Sequence, residues 1–111
     1  MVAQAKTSTK SSSKLPPHSI EAEEAVLGAI LINPNETMNR VVEILKPESF
    51  YSPRNKLIYE AMMLLFNQNK PIDSLSIAEY FNSKNALDSI GGREYLNDLV
   101  IDTILTSNIE Y

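Results

Sequence analysis

The sequence predicts an all-α domain: a small orthogonal bundle of about five helices plus short turns, cut off at the start of a further helix. Three observations carry this expectation. Apolar residues recur at three- and four-residue spacings, good helix-start residues precede each such segment, and Pro- or Asn-containing breaks separate them. No run alternates apolar and polar residues as a half-buried strand would.

The clearest segment is Pro53 to Asn69, opened by Ser52 as N-cap and ended before Pro71. At 100° per residue, Leu57, Ile58, Ala61, Leu64 and Leu65 form one apolar stripe, and Tyr59, Met62, Met63 and Phe66 form a second. Only Lys56, Glu60 and Asn67 make a polar sector. A helix this apolar must be covered nearly all round, so it is expected to be the spine of the bundle. The simpler reading makes both stripes core; the sharper one turns the second stripe toward a partner.

The remaining elements follow in order. Leu15, Pro16 and Pro17 form an extended lead-in, and Ser19 caps a first helix, Ile20 to Ile32. Glu21, Glu23 and Glu24 lie in or near its first turns, where the macrodipole favours negative charge. Ile20, Val26, Leu27, Ile30 and Leu31 supply its apolar face. Gly28 is interior and costs about 1 kcal/mol relative to alanine there, which points to a close helix crossing. Asn33 to Asn35 break the chain before a second helix, Glu36 to Leu45, with Met38, Val41, Val42 and Leu45 on one side. Phe50 and Tyr51 are expected to plug the end of the bundle. Asp73 caps a fourth helix, Ser74 to Lys84, carrying Leu75, Ile77, Ala78 and Phe81; Ser76 and Glu79 offer a capping box as an alternative start. Asn85 to Gly92 is a loop anchored by Leu87 and Ile90, and a fifth helix runs from Arg93 to Thr103 with Tyr95, Leu96, Leu99 and Val100. Ser107 resembles the N-cap of another helix starting at Asn108. The organisation expected is a disordered tail over 1–14, a helical domain over 15–106, and the start of a helical hairpin over 107–111.

Composition narrows the function. The chain has 111 residues, enough for one domain, with no cysteine and a single histidine, His18. Disulfides, thiolate metal sites and histidine clusters are excluded. No apolar run approaches the roughly 20 residues of a membrane helix, and Met1 to Lys14 has no apolar signal core. The net charge of −4 is uneven: Lys6, Lys10 and Lys14 stand in a tail without acids, leaving 7 basic and 14 acidic residues in the body. Such a body lacks the clustered Lys and Arg that phosphate neutralisation needs.

Chemistry is equally sparse. Gly91 and Gly92 lack the G-x-x-x-x-G-K-[ST] frame and read as relief of a tight turn. His18 with Glu21, Glu23 and Glu24 has too few ligands and too scattered a spacing for a metal centre, so the acids are assigned to the helix dipole. No nucleophile, base and orienting acid fall into a recognisable set. The tyrosines and phenylalanines lack the basic interleaving of a stacking surface for single strands and are assigned to core and protein contacts.

The run LPPHSIEAEEAVLGAILINP, Leu15 to Pro34, resembles the opening of the N-terminal domain of DnaB-family replicative DNA helicases, with its PP-x-x-x-EAE pattern and V/L-L-G step. Further blocks agree in order. Phe50, Tyr51, Pro53, Ile58, Tyr59, Ala61 and Met62 look like the FY-x-P segment and its helix. Pro71, Ile72, Asp73, Ile77 and Ala78 look like the PID turn and the next helix. Leu87, Gly91, Gly92, Tyr95, Leu96 and Leu99 look like the L-x-x-x-GG-x-x-YL block, and Ser107, Asn108, Ile109 and Tyr111 look like the entry to the helical hairpin. Asn55 departs from the family, which often has His there.

The resemblance implies a collar domain of a hexameric, ATP-driven 5′ to 3′ helicase, cytoplasmic in bacteria, with a plastid or other organelle as a further possible origin. Its implied partners are the C-terminal domain of primase and other copies of itself, paired within the hexamer; DNA is reached only through the full-length protein, and no membrane is involved. ATP and magnesium belong to a motor domain outside this segment, so no cofactor and no catalytic residue is expected here. The candidate interface residues are Tyr59, Met63, Phe66, Ile104, Leu105, Ile109 and Tyr111. The rival reading is a stand-alone helical interaction module or nucleic-acid binder unrelated to a motor.

Overall fold

The computed structural model describes residues 19–109, with side chains described to residue 106. The tail expected to be disordered, His18, and Tyr111 lie outside those residues. The described residues form five α-helices, α1 (Ile20–Ile32), α2 (Pro34–Val41), α3 (Pro53–Asn67), α4 (Ser74–Ser83) and α5 (Gly92–Ile109). Two short 3₁₀ turns, Pro47–Ser49 and Leu87–Ile90, lead into α3 and α5. No strand occurs among the described residues, as the spacing of apolar residues predicts.

Helix starts follow local chemistry closely. Ser19 Oγ accepts from Ala22 N–H at 3.1 Å, Ser52 Oγ from Asn55 N–H at 3.5 Å, and Asp73 Oδ1 from Ser76 N–H at 2.8 Å. Each satisfies one amide that the helix itself leaves without a partner. The choice between Asp73 and a Ser76/Glu79 box is thereby settled for Asp73. The second helix starts two residues earlier than expected, because Pro34 sits at its first position, where a missing N–H costs nothing. It also stops sooner, at Val41, and residues 42–44 form turns.

Helix ends were harder to foresee. α3 and α4 both finish in Schellman motifs whose left-handed residue is asparagine: Asn69 at φ 58° and Asn85 at φ 55°. After α3, Lys70 N–H reaches Leu65 C=O and Asn69 N–H reaches Phe66 C=O; after α4, Ala86 N–H reaches Phe81 C=O and Asn85 N–H reaches Asn82 C=O. Asn69 is thus outside the helix in which its position before Pro71 had placed it. At the far end α5 corrects a second expectation. Ser107 does not open a new helix; the backbone stays helical through Ser107 and Asn108 to Ile109.

α3 is the spine. It packs against α1, α2, α4 and both 3₁₀ turns. Ile58, Tyr59, Ala61, Met62 and Leu65 are buried, and Met63 and Phe66 lie half-buried against the same core with Leu27, Ile30, Met38, Ile77, Phe81 and Leu96. Both apolar stripes therefore face core, with one exception. Leu57 and Leu64, 38% and 39% exposed, flank Glu60 on the open side. Elsewhere Leu75 and Ile20 are also more exposed than their spacing implies, and of the pair expected to plug the bundle only Phe50 is buried.

α5 packs most extensively against α1. The crossing is at Gly28, as predicted: a Cβ there would lie 1.9 Å from Thr103 Oγ1 and 2.6 Å from the Leu99 carbonyl oxygen. Only hydrogen fits between the two backbones. Gly91 and Gly92, at φ 89° and 71°, turn the chain from the second 3₁₀ turn into α5 in a conformation other residues adopt at a cost.

Candidate functional site

Two surfaces contain the candidate residues, and they are separate. On α3, Tyr59 is fully buried: its hydroxyl donates to the Leu45 carbonyl at 2.9 Å, and its ring lies 4.8 Å from Phe50 at a tilt of 33°. Tyr59 is therefore a core residue, with both its ring and its hydroxyl engaged inside the domain. Burial also raises its pKa above the ordinary tyrosine value. Phe66 lines a groove of about 480 Å³ together with Leu31, Pro34, Lys70, Pro71, Ile72 and Asp73. Met63 is half-buried against the core.

On α5 the picture is different. Ile104 and Leu105 are 48% and 56% exposed, and Ile101, outside the candidate set, is 51% exposed. These positions, one helical turn apart, form a single apolar stripe on the last turns of α5. Leu105 also borders a second groove, about 570 Å³, between α1 and α5, lined by Glu21, Glu24, Ala25, Asp102, Thr103 and Thr106. This edge combines the apolar Ala25 and Leu105 with three carboxylates, Glu21, Glu24 and Asp102. Ile109 belongs to the same helix, with its side chain beyond the described ones.

A buried polar cluster joins α1, α3 and α5, and the sequence alone does not reveal it. Glu23 is buried, and it does more than face the dipole of its own helix. Its Oε2 accepts from Tyr51 N–H at 2.6 Å, and its Oε1 accepts from Ser52 N–H at 3.3 Å and Asn55 Nδ2 at 3.0 Å. A carboxylate on α1 thus caps the start of α3, where unpaired amides and the helix dipole favour an anion. Asn55, fully buried, accepts at Oδ1 from the Tyr95 hydroxyl, which also approaches Glu24 Oε2 at 3.3 Å. Arg54 covers the Tyr95 ring, with its guanidinium carbon 3.5 Å from the ring centre. Burial first, and the nearby Glu24 carboxylate second, raise the Tyr95 pKa, while Arg54 opposes them. No buried side-chain polar atom among the described residues lacks a partner. The sequence signals for this cluster are Asn55 in the first turn of α3, where the family often has His, and the aromatic at position 95; their meeting depends on tertiary structure.

This geometry can hold helices and present surfaces. Among the described residues no three His, Asp or Glu side chains are grouped to hold a metal ion, and no helix is long and apolar enough to cross a membrane.

Comparison with known proteins agrees with the architecture. Residues 15–111 match the family described as the DnaB-like helicase N terminal domain. The chain is 44% identical over 99 residues to the replicative DNA helicase DnaB of Nostoc and 40% identical over 98 residues to that of Rhodothermus marinus, covering 89% and 88% of this chain. It is also 37% identical over 98 residues to the replicative DNA helicase DnaC of Bacillus subtilis. It spans only 11%, 10% and 21% of those three proteins. Among solved structures, the crystal structure of the N-terminal domain of DnaB helicase from Mycobacterium tuberculosis superposes with a TM-score of 0.72 at 32% identity, covering 78% of this chain and 59% of that one. The family match over residues 15–111, with a helix arrangement shared with a solved domain of the same kind, means that this chain belongs to the DnaB-like helicase N-terminal domain family.

Proposed function

We propose that this chain is the non-catalytic N-terminal collar of a hexameric, ATP-dependent replicative DNA helicase, serving assembly with other copies and docking of the C-terminal domain of primase. The observation that carries this reading is the exposed apolar stripe Ile101, Ile104 and Leu105 on a domain of this family. An exposed stripe on the longest helix is the kind of surface that protein partners cover. The acidic body supports protein rather than DNA as the direct partner, because binding to phosphates draws on clustered cations. ATP, magnesium and contact with DNA then belong to a motor outside this chain, in the bacterial cytoplasm.

Titrating the chain, and a longer form extended beyond Tyr111, with the primase C-terminal domain in a calorimeter tests the docking role. Saturable binding by the longer form is expected. Absence of heat from both forms at concentrations up to about 100 µM, where a micromolar complex would saturate, overturns the primase role. DNA affinity of the chain itself, with a steep dependence on salt, would favour a direct nucleic-acid binder instead.

A further inference from the structure

The cluster around Asn55 has a directional character that apolar packing lacks. Asn55 Nδ2 donates to Glu23 and its Oδ1 accepts from Tyr95. Reversing the amide would turn its oxygen toward the Glu23 carboxylate, setting acceptor against acceptor, so one orientation satisfies every group. α1, α3 and α5 each contribute one member, Glu23, Asn55 and Tyr95.

α5 is held at two places. Near its start Tyr95 is tied into this cluster, and further along Leu99 and Thr103 lie against Gly28 of α1. Residues 95 and 103 are separated by about 12 Å of helix at 1.5 Å per residue. Two fixed points define a line, and the stripe Ile101, Ile104 and Leu105 begins between them and continues past the second. The apolar contacts of Leu96 and Leu99 resist separation from the core but have little directional preference. A hydrogen bond weakens steeply as its angle departs from linearity.

We propose that the buried chain Glu23–Asn55–Tyr95 is an alignment device that sets the direction of α5 relative to α1 and α3, and with it the bearing of the exposed stripe on α5. Tyr95 and Asn55 act as positioning residues. Arg54 shields the ring from solvent, and Glu24 holds the outer side of the hydroxyl. Without the chain, α5 pivots about the Gly28 crossing. The consequence for assembly rests on the collar reading above; the alignment does not.

The test is Tyr95→Phe in the 111-residue chain, which keeps the ring and removes the hydroxyl. Amide residual dipolar couplings report helix directions, and hydrogen exchange reports local opening. Couplings of α1 and α3 are expected to fit the parent arrangement, while those of α5 fit only after reorientation. Exchange over residues 96–100 is expected to accelerate at least tenfold more than over residues 27–31 of α1. Equal acceleration in both helices with unchanged couplings would mean a merely structural loss and overturns the proposal, as does no change at all. Tyr80→Phe, outside the cluster, is expected to leave both readouts as they are. Asn55→Leu gives a second route should Tyr95→Phe fold poorly. It keeps a side chain of similar size, removes the bonds to both Glu23 and Tyr95, and is expected to reorient α5 in the same sense; parent-like α5 couplings there also overturn the device. Neither readout involves primase or self-association, so failure of the collar reading leaves this result intact.

Discussion

α3 and α5 are the two longest helices, both rich in apolar residues, yet their surroundings differ. α3 has α1, α2, α4 and both 3₁₀ turns against it, so two apolar stripes go into core and only Leu57 and Leu64 remain open beside Glu60. α5 has α1, α4 and one 3₁₀ turn along it and meets α3 near its start through Tyr95, so Tyr95, Leu96 and Leu99 are buried while Ile101, Ile104 and Leu105 are left in solvent. Apolar content does not tell how a helix is covered; the number of neighbours does. In α3 the coverage comes from this domain. In the last turns of α5 it is unfilled by the described residues, and that is where a partner gains most from burial.

The sharpest way to break this contrast is to strike α5 where it is covered. Gly28→Leu forces a side chain into a space where even a Cβ meets Thr103 and the Leu99 carbonyl. Because the carbonyl is backbone, rotation of one side chain cannot relieve it. Loss of about 3 kcal/mol or more is expected, at the upper end of overpacking effects, seen as a lowered melting temperature. An unchanged melt would mean that α5 is not seated on α1 and that the difference between its two halves is false.

An alkaline titration compares the helices through their buried tyrosines, Tyr59 on α3 and Tyr95 on α5. Both pKa values lie above the ordinary 10.0, so below pH 10 the folded and unfolded states hold the same protons and neither tyrosine changes stability. Above pH 10 the unfolded chain loses phenolic protons that the folded chain retains. The unfolded state then binds fewer protons, and stability falls as pH rises. Each group contributes a slope of up to about 1.4 kcal/mol per pH unit. Urea melts at pH 9, 10 and 11 should show a plateau and then a decline, shallower in Tyr95→Phe. Equal declines with and without the Tyr95 hydroxyl would show that it is not held in a buried, bonded position.

How much of this was legible before the structure depends on the range of the interactions. The start and end of α1 follow from Ser19 and the Asn33–Pro34 break, and the starts of α3 and α4 follow from Ser52 and Asp73, because capping acts within three residues. The Gly28 crossing was readable because an interior glycine has a cost that needs a reason. Asparagine as the left-handed end residue was not, since Asn69 and Asn85 also suit a helix or a loop. Ser107 misled for a related reason: a serine can cap a helix or lie within one, and the backbone here chose the latter. The sequence alone points Glu23 to its own helix dipole, because its other partners, Tyr51, Ser52 and Asn55, are about thirty positions away along the chain. Of the candidate interface residues, Ile104 and Leu105 are exposed and Tyr59 is core. Helical periodicity gives the angle of a side chain but not which neighbour stands at that angle.

The smallest expected effect on stability separates the two open stripes. Ile104→Lys with Leu105→Lys replaces exposed apolar groups at the edge lined by Glu21, Glu24 and Asp102, so the melt should move by no more than about 0.5 kcal/mol. Leu57→Lys with Leu64→Lys should cost more, because those residues are about three-fifths covered, against about half for Ile104 and Leu105. If the α5 pair proves the more destabilising, its stripe is already covered in the isolated chain, by another copy or by the chain itself. Sedimentation at several concentrations distinguishes these: dependence on concentration in the parent, lost in the α5 pair and retained in the α3 pair, identifies a second copy as the cover. A parent that sediments as a monomer throughout, with both pairs near neutral, leaves the α5 stripe open for a partner of a different kind.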